Sequence, residues 1–556
     1  MSCKVTFFLP LVLFLLSMQT TAQNIFSKYY RDQGTFLIEL EESKYVGRMD
    51  GGKLYLTERE AIEMALVNNL EINVERHSQL TSEWDIKLRK SYYDGKGIFG
   101  YDFNRLTNPS TSVLQGGDSV TDKFAGYTFG YQQPFSTGTS LDFSFIGNRT
   151  DTTNFFAGIV PAIRTELHFF VRQDLLRGFG KTAAEYEIEI SQNNLDITGQ
   201  EFKRKVTEVI VQVQDRFWEL QAALKAVEVT QKAHEYAQTV YEQNQARFEV
   251  GTAARLEVVQ AEAELASRKE EMISAQYTYR RVQDQLVQLV SDFEDPRAFQ
   301  GEIIPVEQNN PAPPDEAFDK LLEIAVEMRP EMQQADLGLS NFSIRHEQSR
   351  DNLKPKLDLV AGYQQYGLGG NTIIRDFSEW PAVPEPPIVA VVPGGLGDSL
   401  TALGSGDFKG FIVGLNLELP IRNSESRAQN AKAQIDLRRA KLQKRSLRQM
   451  IALEIRDAMT QVEMNEARLE ASRAAVAAAE ERLRAEEARF EVGLGTTRQL
   501  IEAQRDLLQS ISVEVRSEMD LRKSISQLDK AVGRTFEKNN IVLTDALAKN
   551  VKRLEP

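Results

Sequence analysis

The hexapeptide Ala246-Arg-Phe-Glu-Val-Gly251 occurs twice in this chain of 556 residues, the second time as Ala488-Arg-Phe-Glu-Val-Gly493. The two copies are 488 − 246 = 242 residues apart, a period far longer than that of a solenoid repeat. Similar segments flank both copies, in the order helix, β region, very long helix, turn and long helix. The sequence therefore predicts duplication of a half-domain, which is an internal two-fold sequence repeat.

The segment before each hexapeptide is predicted to be one very long helix. Positions 184–250 contain no proline, and the apolar residues from Phe202 to Val227 recur at steps of three and four. That spacing is close to the heptad seam of a coiled coil. The helix would extend about 100 Å, whereas helices of globular proteins average about 11–12 residues. The equivalent segment of the second half is 424–492.

A second helix is predicted after each hexapeptide, at Leu256–Val290 and at Leu500–Val532. Each half would then be a long antiparallel helical hairpin with its tip at Gly251 or Gly493. Glycine readily takes the left-handed conformation that ends many helices, which suits such a turn. The fold class predicted from these segments is mainly α with β.

The β regions are recognised by a change of the apolar period from 3.6 to 2. The predicted strands are Gly97–Phe103, Ala125–Gln133, Leu141–Gly147 and Ile163–Leu175 in the first half, and Leu357–Tyr363 and Phe411–Leu419 in the second. Alternation with aromatic residues is typical of transmembrane barrel strands, and a soluble two-sheet domain is the alternative. Because bacterial barrels need at least eight strands, one chain could not close a barrel alone.

The remaining divisions of the chain follow from its composition. Residues 1–22 have a positive start, an apolar run and a small-residue end, which is the layout of a secretory signal peptide. The proline-rich segment 377–410 is predicted to be a long loop without a helix or a central strand. The other predicted parts are an N-terminal extension at 23–56, the first repeat at 57–294, a linker at 295–314, the second repeat at 315–535 and a C-terminal equatorial segment at 536–556.

Several classes of function are disfavoured by charge and by motifs. The net charge of −14 argues against a nucleic acid partner. The one cysteine, Cys3, lies in the predicted signal peptide, so the mature chain would form no disulfide. The sequence has no zincin motif, no Walker A motif and no Gly-x-Ser-x-Gly elbow. We therefore expect no enzyme activity, no catalytic residues, no metal site and no cofactor.

These features together resemble the TolC family of outer-membrane efflux proteins, over roughly residues 54–540. The most specific parts are the two hexapeptides with the segments that follow them, Leu256-Glu-Val-Val-Gln-Ala261 and Leu500-Ile-Glu-Ala-Gln504. Leu-Leu-Arg-Gly-Phe-Gly at 175–180 and Glu418-Leu-Pro420 also match the family at the joints between strands and helices.

The resemblance implies a homotrimer located in the bacterial outer membrane and extending into the periplasm. Six hairpins would form an α-barrel, and each chain would give four strands to a shared 12-stranded transmembrane β-barrel in contact with lipid. The first half has four predicted strands where the resemblance implies two, so one pair could form a hairpin outside the barrel. The implied function is a passive exit duct for small molecules or proteins, in a tripartite efflux or type I secretion system. Its partners would be a periplasmic adaptor protein and an inner-membrane transporter. A structural or adhesive coiled-coil protein of the cell envelope is the alternative.

The resemblance also implies which residues act at the hairpin tips. The turns that dock the partner would be Val250, Gly251 and Thr252 in the first hairpin, and Val492, Gly493 and Leu494 in the second. The pore gate would consist of Phe248, Glu257, Phe490, Gly495, Gln499 and Glu502. A carboxylate on a long helix is also commonly just part of a solvated face, and the tip phenylalanines could serve packing alone.

Two of these positions depart from the family. The best-studied members have a tyrosine at the position of Phe490 and an arginine at the position of Gly495. Phe490 has no hydroxyl group that could bond Glu257, and Gly495 carries no charge. The expectation is therefore that Phe248 and Phe490 close the pore by apolar packing, with Glu502 as an acidic ring in the trimer.

Overall fold

A computed structural model describes most of the chain. The described residues are 48–50, 52–110, 118–154, 156–292, 301–306, 316–379, 386–492 and 494–541. The predicted signal peptide, most of the N-terminal extension and the tip residue Gly493 lie outside these ranges. Most of the predicted linker and of the C-terminal segment also lie outside them.

Helices of very different lengths form most of the described chain. In order they are α1 Glu58–Asn68, α2 Leu70–Lys90, α3 Lys181–Ala184, α4 Tyr186–Glu249, α5 Arg255–Val290, α6 Phe318–Met328, α7 Pro330–Asp351, α8 Leu396–Ser405, α9 Ser424–Glu491, α10 Thr497–Val532 and α11 Thr535–Lys538. A single 3-10 turn, Ser91–Tyr93, follows α2.

The strands fall into two sheets. In order they are β1 Arg48–Asp50, β2 Lys53–Leu56, β3 Lys96–Pro109, β4 Ser119–Pro134, β5 Thr139–Thr152, β6 Ile159–Asp174, β7 Glu302–Pro305, β8 Lys356–Arg375, β9 Ile388–Val392 and β10 Lys409–Glu418. The first sheet has the order β1-β2-β7, and the second has the path β10-β8-β6-β5-β4-β3, with β9 paired to β8.

The prediction of two very long helices is confirmed, since α4 has 64 residues and α9 has 68. The helices after the two hexapeptides are also present, as α5 and α10. α10 begins at Thr497, three residues before the predicted start at Leu500. The reason is local, because Thr496 forms a capping box with Gln499 and so fixes the helix start earlier.

The chain forms two compact units, and each contains segments from both predicted repeats. The described residues of the first unit lie in 48–76, 205–318 and 455–541, and those of the second lie in 77–204 and 319–454. The domain boundaries predicted from the repeat are not tested by this division and stay a prediction.

The core of the first unit follows the predicted apolar seam. Val206, Val209, Val213, Phe217 and Leu220 of α4 are all fully buried. These residues are spaced by three or four, so they lie on one stripe of the helix and pack together away from water. The small sheet adds a feature that the sequence did not indicate. β7 lies inside the predicted linker and pairs in parallel with β2.

The second unit contains the larger sheet, in which all neighbours along the main path are antiparallel. The four strands predicted in the first half are present as β3 to β6, each longer than predicted. They pair with one another in sequence, and β6 then pairs with β8 of the second half. Six long strands of one sheet therefore stand where the resemblance implies four, and the hairpin outside the barrel stays a prediction.

The two faces of the larger sheet differ in polarity. Residues directly opposed on neighbouring strands share a face of the sheet. One row of such residues is Tyr131, Phe143, Phe169, Tyr363 and Phe411, on β4, β5, β6, β8 and β10. A neighbouring row on the other face contains Ser144, His168 and Gln364. The face with the first row, here named the aromatic face, thus lies opposite a face whose neighbouring row is polar, an alternation typical of transmembrane barrel strands.

The proline-rich segment 377–410 is not a continuous loop, so that prediction was partly wrong. It contains β9 and the ten-residue helix α8. The prolines of the segment end at Pro393, and α8 begins after the glycine pair that follows. α8 packs on β8 and β6, where the hydroxyl groups of Ser399 and Thr165 form a buried hydrogen bond of 2.8 Å. Residues 380–385 lie outside the described ranges.

Candidate functional site

The first hairpin tip is a tight turn between α4 and α5. The backbone N–H groups of Thr252 and Ala253 both donate to the carbonyl of Arg247, at 2.8 and 3.2 Å. The hydroxyl group of Thr252 donates to the same carbonyl at 3.0 Å. Gly251 has a φ of 79°, a left-handed conformation that favours glycine. The predicted glycine turn is present, and Val250 beside it is 75% exposed.

The second hairpin tip is closed in a related way. The backbone N–H groups of Leu494 and Gly495 both donate to the carbonyl of Arg489, each at 2.9 Å. A capping box follows, in which the Gln499 N–H donates to the Thr496 hydroxyl at 3.3 Å and the Thr496 N–H donates to the Gln499 side-chain carbonyl at 3.1 Å. Val492 and Leu494 are strongly exposed, so this tip also presents apolar side chains to its surroundings.

The predicted gate residue Phe490 does not lie on the surface of the single chain. It is 8% exposed and belongs to a core cluster with Val240, Ala261 and Leu500. These four residues come from α4, α5, α9 and α10, so the cluster joins both hairpins directly behind their tips. The guanidinium carbon of Arg247 lies 4.6 Å from the centre of the Phe490 ring, within the range of a cation–π contact.

The space beside Phe490 explains the glycine at position 495. A Cβ atom at Gly495 would lie 2.9 Å from the backbone nitrogen of Phe490, closer than real Cβ contacts allow. The tip thus folds back on the end of α9, and a larger residue at position 495 would push the tip away from the backbone of Phe490. Gly495 and Phe490, both predicted gate residues, are thus close neighbours in the fold.

The other predicted gate residues are distributed over the tip surface. Phe248 is 40% exposed. Glu502 is exposed, and its carboxylate pairs with Arg498 one turn earlier at 2.9 Å. Gln499 serves the capping box, while Glu257 lies half-buried in the first turn of α5. Within the described residues, Glu257 makes no hydrogen bond to Gln499 or Glu502.

Sequence reasoning missed a charged network further from the tip. Arg268 is almost completely buried and pairs with Glu264 at 2.6 Å and with Glu271 at 2.7 Å, all on α5. Arg505 of α10 pairs with the other oxygen of Glu264 at 2.8 Å, which links the two hairpins. The i, i+4 spacing of Glu264 and Arg268 is visible in the sequence. The partner Arg505 is not, because it comes from the other hairpin.

A second polar link joins α4 to α9. The Tyr236 hydroxyl group donates to the Glu487 carboxylate at 3.2 Å. Burial raises the pKa of Tyr236 above its ordinary value, and the negative charge of Glu487 raises it further. The phenol therefore stays protonated at every physiological pH and remains available as a donor.

The comparisons with known proteins agree with these features. A family model described as "Outer membrane efflux protein" matches residues 176–291 and 321–534, together more than half of the chain. The chain belongs to the outer membrane efflux protein family. This efflux protein is therefore an outer-membrane channel, as predicted, and the channel interpretation is favoured over a structural coiled-coil scaffold. Its location is the bacterial outer membrane, with extension into the periplasm.

The fold of the efflux protein is similar to several solved channels. The Campylobacter jejuni outer membrane channel CmeC has 15% identity and a TM-score of 0.61, with 93% of this chain and 95% of that chain covered. The Vibrio cholerae outer membrane protein VceC has 14% identity and a TM-score of 0.59, with 86% and 96% covered. The open state of Neisseria gonorrhoeae MtrE has 13% identity and a TM-score of 0.56, with 90% and 96% covered. Among curated protein sequences, none matches this chain.

None of the helices within the described ranges has both the length and the low polarity that crossing a bilayer requires. In the same part of the chain, no group of three or more histidine, aspartate or glutamate side chains is arranged to hold a metal ion.

Proposed function

We propose that three copies of this efflux protein form a passive exit duct that receives its cargo from an inner-membrane transporter through a periplasmic adaptor. The single observation that carries this proposal is the exposure of apolar residues at both tips. Val250 at the first tip and Val492 and Leu494 at the second are each about 70–75% exposed. Apolar side chains so exposed at the ends of long hairpins are suited to burial in a partner.

The gate is proposed to lie directly behind these docking turns. Phe248, Glu257, Gln499 and Glu502 are the predicted gate residues whose side chains are at least partly accessible. Phe490 and Gly495 would act indirectly, because they fix the end of α9 against the other helices. In the trimer, the Glu502 carboxylates would form an acidic ring that favours cations over anions.

The larger sheet would supply the wall through the outer membrane. Its aromatic face suits lipid, and its polar face suits a water-filled lumen. In this arrangement the channel is passive, and the energy for transport would come from the transporter. The proposed equatorial segment at 536–556 and the signal peptide at 1–22 complete the predicted organisation.

Docking at the tips is tested by photo-crosslinking in the host cell. A photoreactive phenylalanine analogue is placed at Val250 or at Val492, and a matched control carries it at Tyr277, an exposed residue in the middle of α5. We expect covalent adducts with one periplasmic adaptor protein from both tip positions and none from Tyr277. Equal adducts from all three positions, or adducts from Tyr277 alone, would refute tip docking.

A further inference from the structure

The larger sheet has two edge strands whose outer sides bear no partner strand within the described residues. β3 ends the sheet on one side, and β10 ends it on the other. Both carry exposed apolar side chains, among them Phe99 and Tyr101 on β3, and Val413 and Leu415 on β10. A long, flat, apolar strand edge is a template for pairing with another chain.

The directions of the two edges fit each other. Six strands lie on the path from β3 to β10, and every neighbouring pair is antiparallel. Because the number is even, β3 and β10 run in opposite directions. If a second copy is placed beside the first by rotation, its β10 is therefore antiparallel to the β3 it meets. All neighbours in the resulting wall would be antiparallel, as they are in bacterial barrels.

The ends of the strands show the stagger that barrel closure requires. Starting from Lys96 at the first position of β3, the row of opposed residues crosses the sheet and reaches Ile412 on β10. β10 continues to Glu418, which is 418 − 412 = 6 residues beyond the row. At the same side of the sheet, β4 extends two residues beyond the row (134 − 132) and β5 three residues (142 − 139). There β6 extends four residues beyond it (174 − 170) and β8 six (362 − 356).

This stagger has the size expected of a barrel. Five strand spacings of about 4.8 Å separate β3 from β10, and six residues of about 3.3 Å over that distance correspond to a tilt of about 40°. Strands in closed barrels tilt by about 35–45°. If the strand ends next to the helices are aligned, Lys96 of one copy lies opposite Glu418 of the next.

The side chains match in that register. Phe99 would oppose Leu415, Tyr101 would oppose Val413 and Phe103 would oppose Phe411, all on the aromatic face. Lys96 and Glu418 carry opposite charges. The one pair of like charge, Arg105 with Lys409, lies at the other end of this contact between β3 and β10, which we call the seam between copies. Both charges are exposed there and are screened by salt.

From these observations we propose that β3 of one copy pairs with β10 of the next copy. In a ring of three copies the barrel then contains six strands from each, 18 in total, and not the 12 that the family resemblance implies. The proposal rests on the trimer put forward under the proposed function. A number of 18 lies within the range known for bacterial outer-membrane barrels. The β3–β4 hairpin would be part of the wall, so the lumen would be wider than that of a 12-stranded barrel.

The seam is tested by disulfide cross-linking in isolated outer membranes. The predicted mature chain contains no cysteine, so Tyr101→Cys with Val413→Cys places one pair across the proposed seam. We expect at least tenfold more covalent dimer and trimer after oxidation than with either single substitution. A second pair, Phe143→Cys with Val413→Cys, tests the alternative in which β5 is the edge and the ring has 12 strands. Cross-linking of that pair and not of the first would overturn the proposal.

The failure of the seam is distinguishable from the failure of the trimer. The native mass of the purified protein gives the number of copies independently of any cysteine. A trimer that does not cross-link when position 101 is paired with 411, 413 or 415 overturns the seam alone, whereas a monomer overturns both proposals. If the cysteine variants fail to insert, cryo-electron microscopy of the unaltered protein counts the strands directly. Eighteen supports the seam, and twelve overturns it.

Discussion

The two hairpin tips share the sequence Ala-Arg-Phe-Glu-Val-Gly, yet they place its phenylalanine in different surroundings. Phe248 of the first tip is substantially exposed, whereas Phe490 of the second is buried among four helices. Both turns are closed by paired N–H groups on the carbonyl of the preceding arginine. The local sequence therefore determines the turn, and contacts from the other hairpin determine what the aromatic ring does. The phenylalanine of the second tip holds the four helices together, whereas the phenylalanine of the first tip is accessible to solvent.

The largest effect that would test this difference is the loss of the Phe490 ring. Phe490→Ala should lower the free energy of unfolding by about 3–5 kcal/mol, because it leaves a cavity between all four helices. Phe248→Ala, the matched control in the same hexapeptide, should lower it by less than about 1 kcal/mol, since an exposed ring leaves no comparable cavity. Thermal unfolding of the purified protein measures both. Equal losses would show that the two tips are equivalent.

A smaller effect is expected from the charged pairs behind the tips. Arg268→Ala leaves the nearly buried carboxylate of Glu264 paired with Arg505 and without its partner on the same helix, and should cost about 2–3 kcal/mol. Arg498→Ala removes a pair with Glu502 that is exposed to water, and should cost less than about 1 kcal/mol. The free energy of unfolding, measured at low and at high salt, distinguishes the buried ion pair from the exposed one, since only the exposed pair should weaken markedly with salt. A larger loss of unfolding free energy in Arg498→Ala than in Arg268→Ala would contradict this expectation.

The comparison of the two hairpins extends to their far ends. Asp529 of the second hairpin is equivalent to Val287 of the first, because the two positions are separated by the repeat period of 242 residues. Val287 is fully buried, so the second hairpin has a carboxyl group where the first has a buried apolar side chain. Burial raises the pKa of Asp529 to about 6, although Lys538 and Arg534 nearby act to lower it. A carboxyl group whose pKa is raised in the folded state binds its proton more tightly there than in the unfolded state.

The smallest effect is therefore a pH dependence of stability. The contribution of protonated Asp529 is fully present below about pH 4 and is lost as the pH rises through about 6. Asp529→Asn should be more stable than the unaltered protein by about 1–2 kcal/mol at pH 8, with the difference vanishing near pH 4. Unfolding midpoints of both proteins between pH 4 and 8 provide the measurement. A difference that is constant over this range would contradict the raised pKa.

Much of this fold could be predicted from the sequence, because its signals are periodic and long. The steps of three and four in α4 predicted a seam that is fully buried from Val206 to Leu220, and the alternation in the strands predicted the β region. What could not be predicted depends on partners distant in sequence. The burial of Phe490, the link from Arg505 to Glu264 and the pairing of β7 with β2 each join segments from different parts of the chain. α8 was missed for a local reason, since nearby prolines concealed a ten-residue helix.

The most direct test of the central claim is single-channel recording of the purified protein in a planar lipid bilayer, with its native mass determined on the same sample. We expect a trimer with small, cation-selective currents. These currents should rise at least severalfold in Phe248→Ala with Glu502→Ala, and remain unchanged in the control Tyr277→Ala. A water-soluble monomer that forms no channels would overturn the exit-duct proposal, and the coiled-coil scaffold would then be the better explanation.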